Sequence, residues 1–222
     1  MTENPAPNAV HPHGEPALDR WAALRSAADR LEREFAGVFD RKTVEEFLSS
    51  SYGRIRAHAD ITELPPLSAE RVARQRLHAL AEVEGRARAG RPMVLFLSEH
   101  DAGRGPMALA FFNRMVGDRA VAWSGGDDPV GDIDPVVVTA MREVGIEIGD
   151  EVPMPWTEEM ARVADVIVTM DHGDDCPAVP GIGYREWDVP DPRGRDIEAV
   201  RPIRDELANR VGELVAELGP VT

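Results

Sequence analysis

Met93-Val94-Leu95-Phe96-Leu97-Ser98-Glu99-His100-Asp101-Ala102-Gly103-Arg104-Gly105-Pro106-Met107 is the stretch that decides the fold. Its first five residues form an apolar run of strand length. A short loop follows, and from about Pro106 the residues Met107, Ala108, Leu109, Phe111, Phe112 and Met115 recur at helical spacing. A buried strand that feeds a loop and then a helix N-terminus is how an α/β protein builds an anion cradle. Arg104 suits such a cradle. Glu99 and Asp101 oppose it, because an anion wants donors there and these residues bring negative charge.

Outward from this stretch the same alternation continues. Ala120–Trp123, Val166–Met170 and Tyr184–Asp188 read as strands. Helices are expected from Pro135 and from about Asp196. The pattern predicts a parallel sheet covered by helices on both faces. In such a sheet the ligand lies beyond the carboxyl ends of the strands. The loops Ser98–Gly105, Asp171–Cys176 and Asp188–Gly194 are therefore expected to gather at one edge.

Upstream, three helical patterns occupy residues 16–86. Leu18, Trp21, Leu24, Ala28, Leu31 and Phe35 form the first, with Pro16 suited to its first turn. Val44, Phe47, Leu48, Tyr52 and Ile55 form the second, and Thr43 with Glu46 has the spacing of a capping box. Val72, Leu77, Leu80 and Val83 form the third, with Ser68 as its expected cap. Together they predict an all-α three-helix bundle. A bundle this small has a modest core, which favours pairing with a second copy, although a monomeric bundle packed on its neighbour also satisfies the pattern. Residues 1–15 are rich in Pro, Asn and His and read as a disordered tail rather than a secretory signal.

Composition narrows the function. The formal net charge is −15, and Lys42 is the only lysine. So acidic a surface excludes nucleic acid and anionic membranes as expected partners, since both need a basic face. No apolar run reaches the ~18 residues of a membrane span. Cys176 is the single cysteine, so no intrachain disulfide forms. A cytoplasmic location fits these features.

The segment Ser98 to Gly105 resembles the catalytic loop of the low-molecular-weight protein tyrosine phosphatases and the thioredoxin- or mycothiol-linked arsenate reductases. That motif is Cys, five residues, Arg and usually Ser. Here Ser98 stands at the Cys position, Arg104 at the Arg position and Gly105 at the Ser position. The resemblance extends through Trp123-Ser124-Gly125-Gly126, Asp134-Pro135, Ala140 to Ile146, Ala164 to Met170, Trp187 to Gly194 and Val200 to Leu207. It implies a flavodoxin-like, four-stranded parallel sheet over residues 91–222. Some actinobacterial relatives carry a similar N-terminal bundle, associated with dimerisation.

The resemblance also says what each position ought to do. Ser98, His100, Ala102, Gly103 and Arg104 would form the anion-binding loop, and Ser98, Arg104 and Asp191 would take the catalytic positions. A Cys nucleophile works because backbone N–H groups and Arg stabilise its thiolate; a Ser hydroxyl stays protonated in the same ring. In relatives an Asn and a Ser support the loop, where this chain has Asp101 and Gly105. Related reductases also carry a Cys-Gly-Asp-Ala-Cys-Pro relay. Here it reads His172-Gly173-Asp174-Asp175-Cys176-Pro177, and only the last cysteine, Cys176, remains as a redox candidate. A dithiol relay needs two sulfurs.

The expectation is therefore a protein that keeps the fold and has lost the thiol chemistry, acting as a binding or regulatory homodimer without a cofactor. Arg104 would hold an oxyanion or pair internally with Glu99, Asp101 or Asp191. Two alternatives stay open. One is altered chemistry, with His100 as a base for Ser98 or with a metal among His100, Asp101, Asp171 and His172. The other is residual reductase or phosphatase activity.

Overall fold

The computed structural model describes residues 17–57, 65–86, 90–129, 131–148, 151–170 and 179–219. Three helices come first: α1 (Ala17–Glu34), α2 (Arg41–Ala57) and α3 (Pro65–Val83). Then follow β1 (Met93–Ser98), α4 (Arg104–Val116), β2 (Val121–Gly126), α5 (Pro135–Glu143), α6 (Glu158–Val163), β3 (Val166–Met170), β4 (Gly183–Glu186) and α7 (Ile197–Glu217). No described helix is long and apolar enough to cross a membrane.

All strand pairs are parallel, in the order β2-β1-β3-β4. β1 is therefore an inner strand, and its six residues are all buried. Alternation sends Val94 and Phe96 to one face, where they meet Met107, Phe112, Met141 and Leu207 from α4, α5 and α7. Met93, Leu95 and Leu97 point to the other face, against Met160 and Ala161 of α6 and Ala79 of α3. Burial on both faces is why the run reads as continuously apolar.

The helical unit thus covers part of the sheet. Leu31, Phe35, Val44, Leu48 and Leu77 form its own core. α3 also presents Arg76 to the sheet-bearing half. Its guanidinium donates to Ser50 Oγ at 2.7 Å, to Ser51 Oγ at 3.0 Å and to Glu159 Oε1 at 2.9 Å. It also stacks over the Phe47 ring, 4.7 Å from the centroid. The ion pair between Arg76 and Glu159 ties α3 to α6.

Three local expectations change. α2 begins at Arg41 with Asp40 outside it, and Asp40 Oδ1 accepts from the Thr43 N–H at 2.8 Å, so the capping role belongs to Asp40 and not Thr43. α3 begins at Pro65, three residues before the expected cap, and Ser68 lies buried inside it. The prolines supply a first turn whose missing N–H groups need no partner. α4 begins at Arg104, not Pro106. α6 had no counterpart in the periodicity: six residues are too few to show one. Residues 1–15, Pro16 and the segment Asp171–Cys176 lie outside the described residues.

Replacing Arg76 with Met leaves Glu159 without its partner in a largely buried contact. Stability of the full chain should fall by about 2–3 kcal/mol, read by urea denaturation.

Candidate functional site

The loop from Glu99 to Gly103 leaves β1 at the carboxyl edge and enters α4. Its carbonyls are held from outside: Glu99 accepts from the Asp128 N–H at 3.0 Å and Ala102 from the Asp134 N–H at 3.1 Å. Gly126 at the end of β2 permits this approach, since a Cβ there would lie 2.8 Å from the Glu99 carbonyl oxygen. No side chain caps the α4 N-terminus at Gly103. Pro106 brings no N–H to its first turn and the Met107 N–H donates to the Gly103 carbonyl at 3.1 Å, so this end offers an anion the N–H groups that precede Pro106 and the helix dipole.

Asp101 is the unusual residue. Its φ is +50°, a left-handed conformation that Asp tolerates better than most residues. The side chain turns beneath the loop and is 1% exposed. Oδ2 accepts from the Met154 N–H at 3.1 Å and from Ser124 Oγ–H at 3.3 Å. Oδ1 is buried with no hydrogen-bond partner. A Cβ on Gly105 would stand 2.4 Å from that oxygen and 3.2 Å from Ser98 Oγ. The Asp101 carboxyl thus occupies the space that a side chain at position 105 would need. Burial pushes its pKa from 3.8 up to about 7, against the opposing pull of the Met154 N–H, the Ser124 hydroxyl and the charge of Arg71.

The expectation that Asp101 opposes an anion is changed in geometry: the residue borders the cavity, but its carboxyl is held by Ser124 and Met154. The carboxyl lies under the loop, and near neutral pH it is partly protonated.

Arg104 opens α4 and is 4% exposed; Nη1 donates to the Val189 carbonyl at 2.9 Å. The loop from Asp188 to Gly194 is latched over the cradle. Pro192 sits where a Cβ on Gly103 would be 2.7 Å from its Cγ. Asp134 caps α5 through the Val136 N–H at 2.9 Å and also accepts from the Gly194 N–H at 3.2 Å. Asp191 Oδ1 accepts from the Arg193 N–H at 3.0 Å.

A small cavity brings together Ser98, His100, Ala102, Gly103, Arg104 and Asp191, and adds Asp101 and Arg193. Its volume is about 10 Å³, roughly what one water requires. The His100 ring is engaged elsewhere: Nδ1 lies 3.0 Å from the Asp128 carbonyl and Nε2 3.6 Å from Glu99. That arrangement does not aim the imidazole at Ser98. Among the described residues no three His, Cys, Asp or Glu side chains converge on a common point. Asp101 and His100 belong to no such group among the described residues. Asp171, His172 and Cys176 lie outside the described residues.

Sequence reasoning missed Arg193, Ser124, Met154 and Arg71. Arg193 sits inside a quoted motif, at its variable position. Ser124 also lies in a quoted motif, Trp123 to Gly126, whereas nothing local marks Met154 and Arg71, which reach the loop only through tertiary structure.

Comparison with known proteins agrees with this geometry. Residues 93–220 match the low molecular weight phosphotyrosine protein phosphatase family, and residues 24–81 match the protein-tyrosine-phosphatase-like N-terminal domain. The chain belongs to the low molecular weight phosphotyrosine protein phosphatase family. An arsenate reductase of Brevibacillus brevis is 32% identical over 129 residues, covering 57% of this chain and 95% of that one. An arsenate reductase of Bacillus subtilis is 32% identical over 136 residues, covering 57% and 96%. The solved thioredoxin-dependent arsenate reductase of Corynebacterium glutamicum is 34% identical with a TM-score of 0.76. That likeness covers 88% of this chain and 96% of the other, so it takes in the helical unit as well.

Asp101 also makes stability depend on pH. Its folded pKa lies above its unfolded one, so the folded state holds an extra proton between about pH 4 and about pH 7. Its contribution is most favourable below that window and is lost as pH rises through about 7. Asp101→Asn should remove this slope. Relative to the parent, the variant should gain roughly 4 kcal/mol between about pH 4 and about pH 8, read as the difference between urea denaturation series.

Proposed function

We propose that this chain is an oxyanion-binding, non-catalytic relative of the arsenate reductases and small tyrosine phosphatases, acting as a binding or regulatory homodimer. The observation that carries the reading is the hydroxyl of Ser98 at the end of β1, where the family places a thiol. Ser98 is 3% exposed, below the α4 N-terminus and in the cavity shared with Arg104 and Asp191. A Ser hydroxyl there lacks an aimed base, because the His100 ring faces Asp128 and Glu99. The electron relay of a reductase needs two further thiols, and the chain has one cysteine.

What remains suits binding. A helix N-terminus without a side-chain cap and a buried guanidinium are donors for a tetrahedral oxyanion. The Asp188–Gly194 loop, latched by Asp134 and Gly103, holds Asp191 at the rim. A cytoplasmic setting completes the reading, since the single cysteine has no intrachain partner for a disulfide.

p-Nitrophenyl phosphate hydrolysis and arsenate reduction with thioredoxin or mycothiol should both stay at background. Turnover abolished by Ser98→Ala would refute the proposal. Ser98→Cys with Asp101→Asn and Gly105→Ser should bring phosphatase turnover above background. Asp101→Asn belongs in that set because it removes the buried acid without changing its size; room for the hydroxymethyl group at position 105 has to come from a shift of the residue 101 side chain.

The homodimer rests on the outward face of the helical unit. α3 is committed to the sheet through Ala79 and Arg76. α1 and α2 leave a groove of about 430 Å³, lined in part by Trp21, Leu24, Leu48 and Tyr52, and Trp21 is 60% exposed. An indole so placed is a natural centre for a self-complementary contact. Light scattering behind size exclusion should give twice the chain mass, and Trp21→Glu should give the monomer.

A further inference from the structure

The underside of the loop belongs partly to the helical unit. α3 carries Arg71, which is half-buried and forms an ion pair with Glu151. Three residues on, Met154 holds Asp101 through its N–H. The Met154 side chain is itself buried against Ile55 of α2 and Val72 of α3. One short segment therefore joins α2 and α3 to the carboxyl below the cradle.

The two oxygens of Asp101 differ. Oδ2 has two donors, whereas Oδ1 is buried with none. A carboxylate wants donors on both oxygens, so Oδ1 is the natural seat of a proton. An oxyanion above the loop brings negative charge close to that carboxyl in a water-poor site, and the repulsion is relieved when the proton is in place. The charges that face Asp101 can be named from each side. Arg71 acts from α3 and favours the carboxylate; burial in turn disfavours the charged form of Arg71. Glu151 competes for the same guanidinium, and Arg74 lies one turn further along α3. On the cavity side stand Arg104, Arg193, Asp191 and His100. Ser98 and Ser124 contribute neutral hydroxyls.

We propose that the cradle takes up an oxyanion together with a proton on Asp101, and that Arg71 is the positioning residue through which the helical unit sets this coupling. The proposal rests on the oxyanion-binding reading above and adds its regulation: the sheet half holds the ligand, and α3 sets the pH range in which it is held. Movement of α3 that withdrew Arg71 would favour the protonated acid and extend binding to higher pH.

The test is sulfate binding by the full chain, followed by calorimetry from about pH 5.5 to about pH 8.5, because sulfate stays a dianion throughout that range. Affinity in the parent should fall about three- to tenfold across it. Near neutral pH, sulfate binding should take up a fraction of a proton, measured in buffers of different ionisation enthalpy. Asp101→Asn should abolish the proton uptake and flatten the profile. Arg71→Gln should move the midpoint to higher pH, and Glu151→Gln, which releases Arg71, should move it lower. Arg71→Lys should restore the parent midpoint if Arg71 acts through its charge, and with Glu151→Gln it carries the test if Arg71→Gln does not fold. A parent profile with proton uptake that persists in Asp101→Asn would overturn the coupling while leaving oxyanion binding intact. A midpoint unmoved by the changes at 71 and 151 would overturn the role of Arg71. Absence of sulfate binding at every pH would overturn the oxyanion reading, and this proposal with it.

Discussion

A carboxyl group held out of water beneath the β1–α4 loop sets the terms for everything around it. Asp101 takes a left-handed backbone so that its side chain can turn downward. It draws one hydrogen bond from β2 through Ser124 and one from the segment before α6 through Met154. It also excludes any side chain from position 105. Glycine at 105 is therefore the geometric complement of the way the residue 101 side chain is turned in this loop. A loop tied to so many elements has few conformations left to it, and because its cavity of about 10 Å³ has room for about one water, an oxyanion enters only as the overlying Asp188–Gly194 loop gives way.

The same ties make the helical unit part of the site's foundation. The sheet needs cover on both faces, and α4, α5 and α7 supply it on one. On the other, α6 is only six residues long and leaves area that Ala79 of α3 helps to fill. Arg76 anchors that contact with its guanidinium shared among Ser50, Ser51 and Glu159. Along the same helix, Arg71 and Val72 reach the segment that carries Met154. Docking for the sake of the hydrophobic face thus also delivers a cation to the underside of the loop.

The fold was legible where burial imposed a long regular pattern. β1 showed itself because both its faces are covered, and α4 because its apolar stripe is long. Short elements were not legible: α6 announces itself only by Thr157, whose hydroxyl caps the helix by accepting from the Met160 N–H at 3.4 Å, and one cap among many threonines is a weak signal. The cap at Thr43 failed because the helix starts two residues earlier: Asp40, one residue before it, accepts from the N–H of Thr43 itself, which places Thr43 inside the first turn. At the site, the spacing of Ser98, Arg104 and Asp191 was readable as a motif, and the cavity does contain all three. The direction of the Asp101 side chain was not readable. A φ of +50° is a property of the folded loop, and the donors that hold the carboxyl come from residues 124 and 154. Arg71 lies thirty positions before Asp101, and only packing relates them.

On the proposed reading, the substitutions separate two functions that the family's loop normally combines. Holding an oxyanion needs N–H groups at a helix end and a guanidinium, and both can act on the ground state. Breaking a bond to it needs a nucleophile whose charge the same groups stabilise. Replacing sulfur by oxygen at position 98 removes the second requirement and leaves the first. A site relieved of chemistry no longer has to keep its surroundings tuned to a thiolate, and a carboxyl below the loop becomes tolerable. In a thiolate enzyme that carboxyl would add negative charge close to a group that must itself be negative, raising the thiol pKa and opposing reactivity. Asp101 is therefore physically coherent with Ser98: the carboxyl that would oppose a thiolate is tolerated beside a neutral hydroxyl.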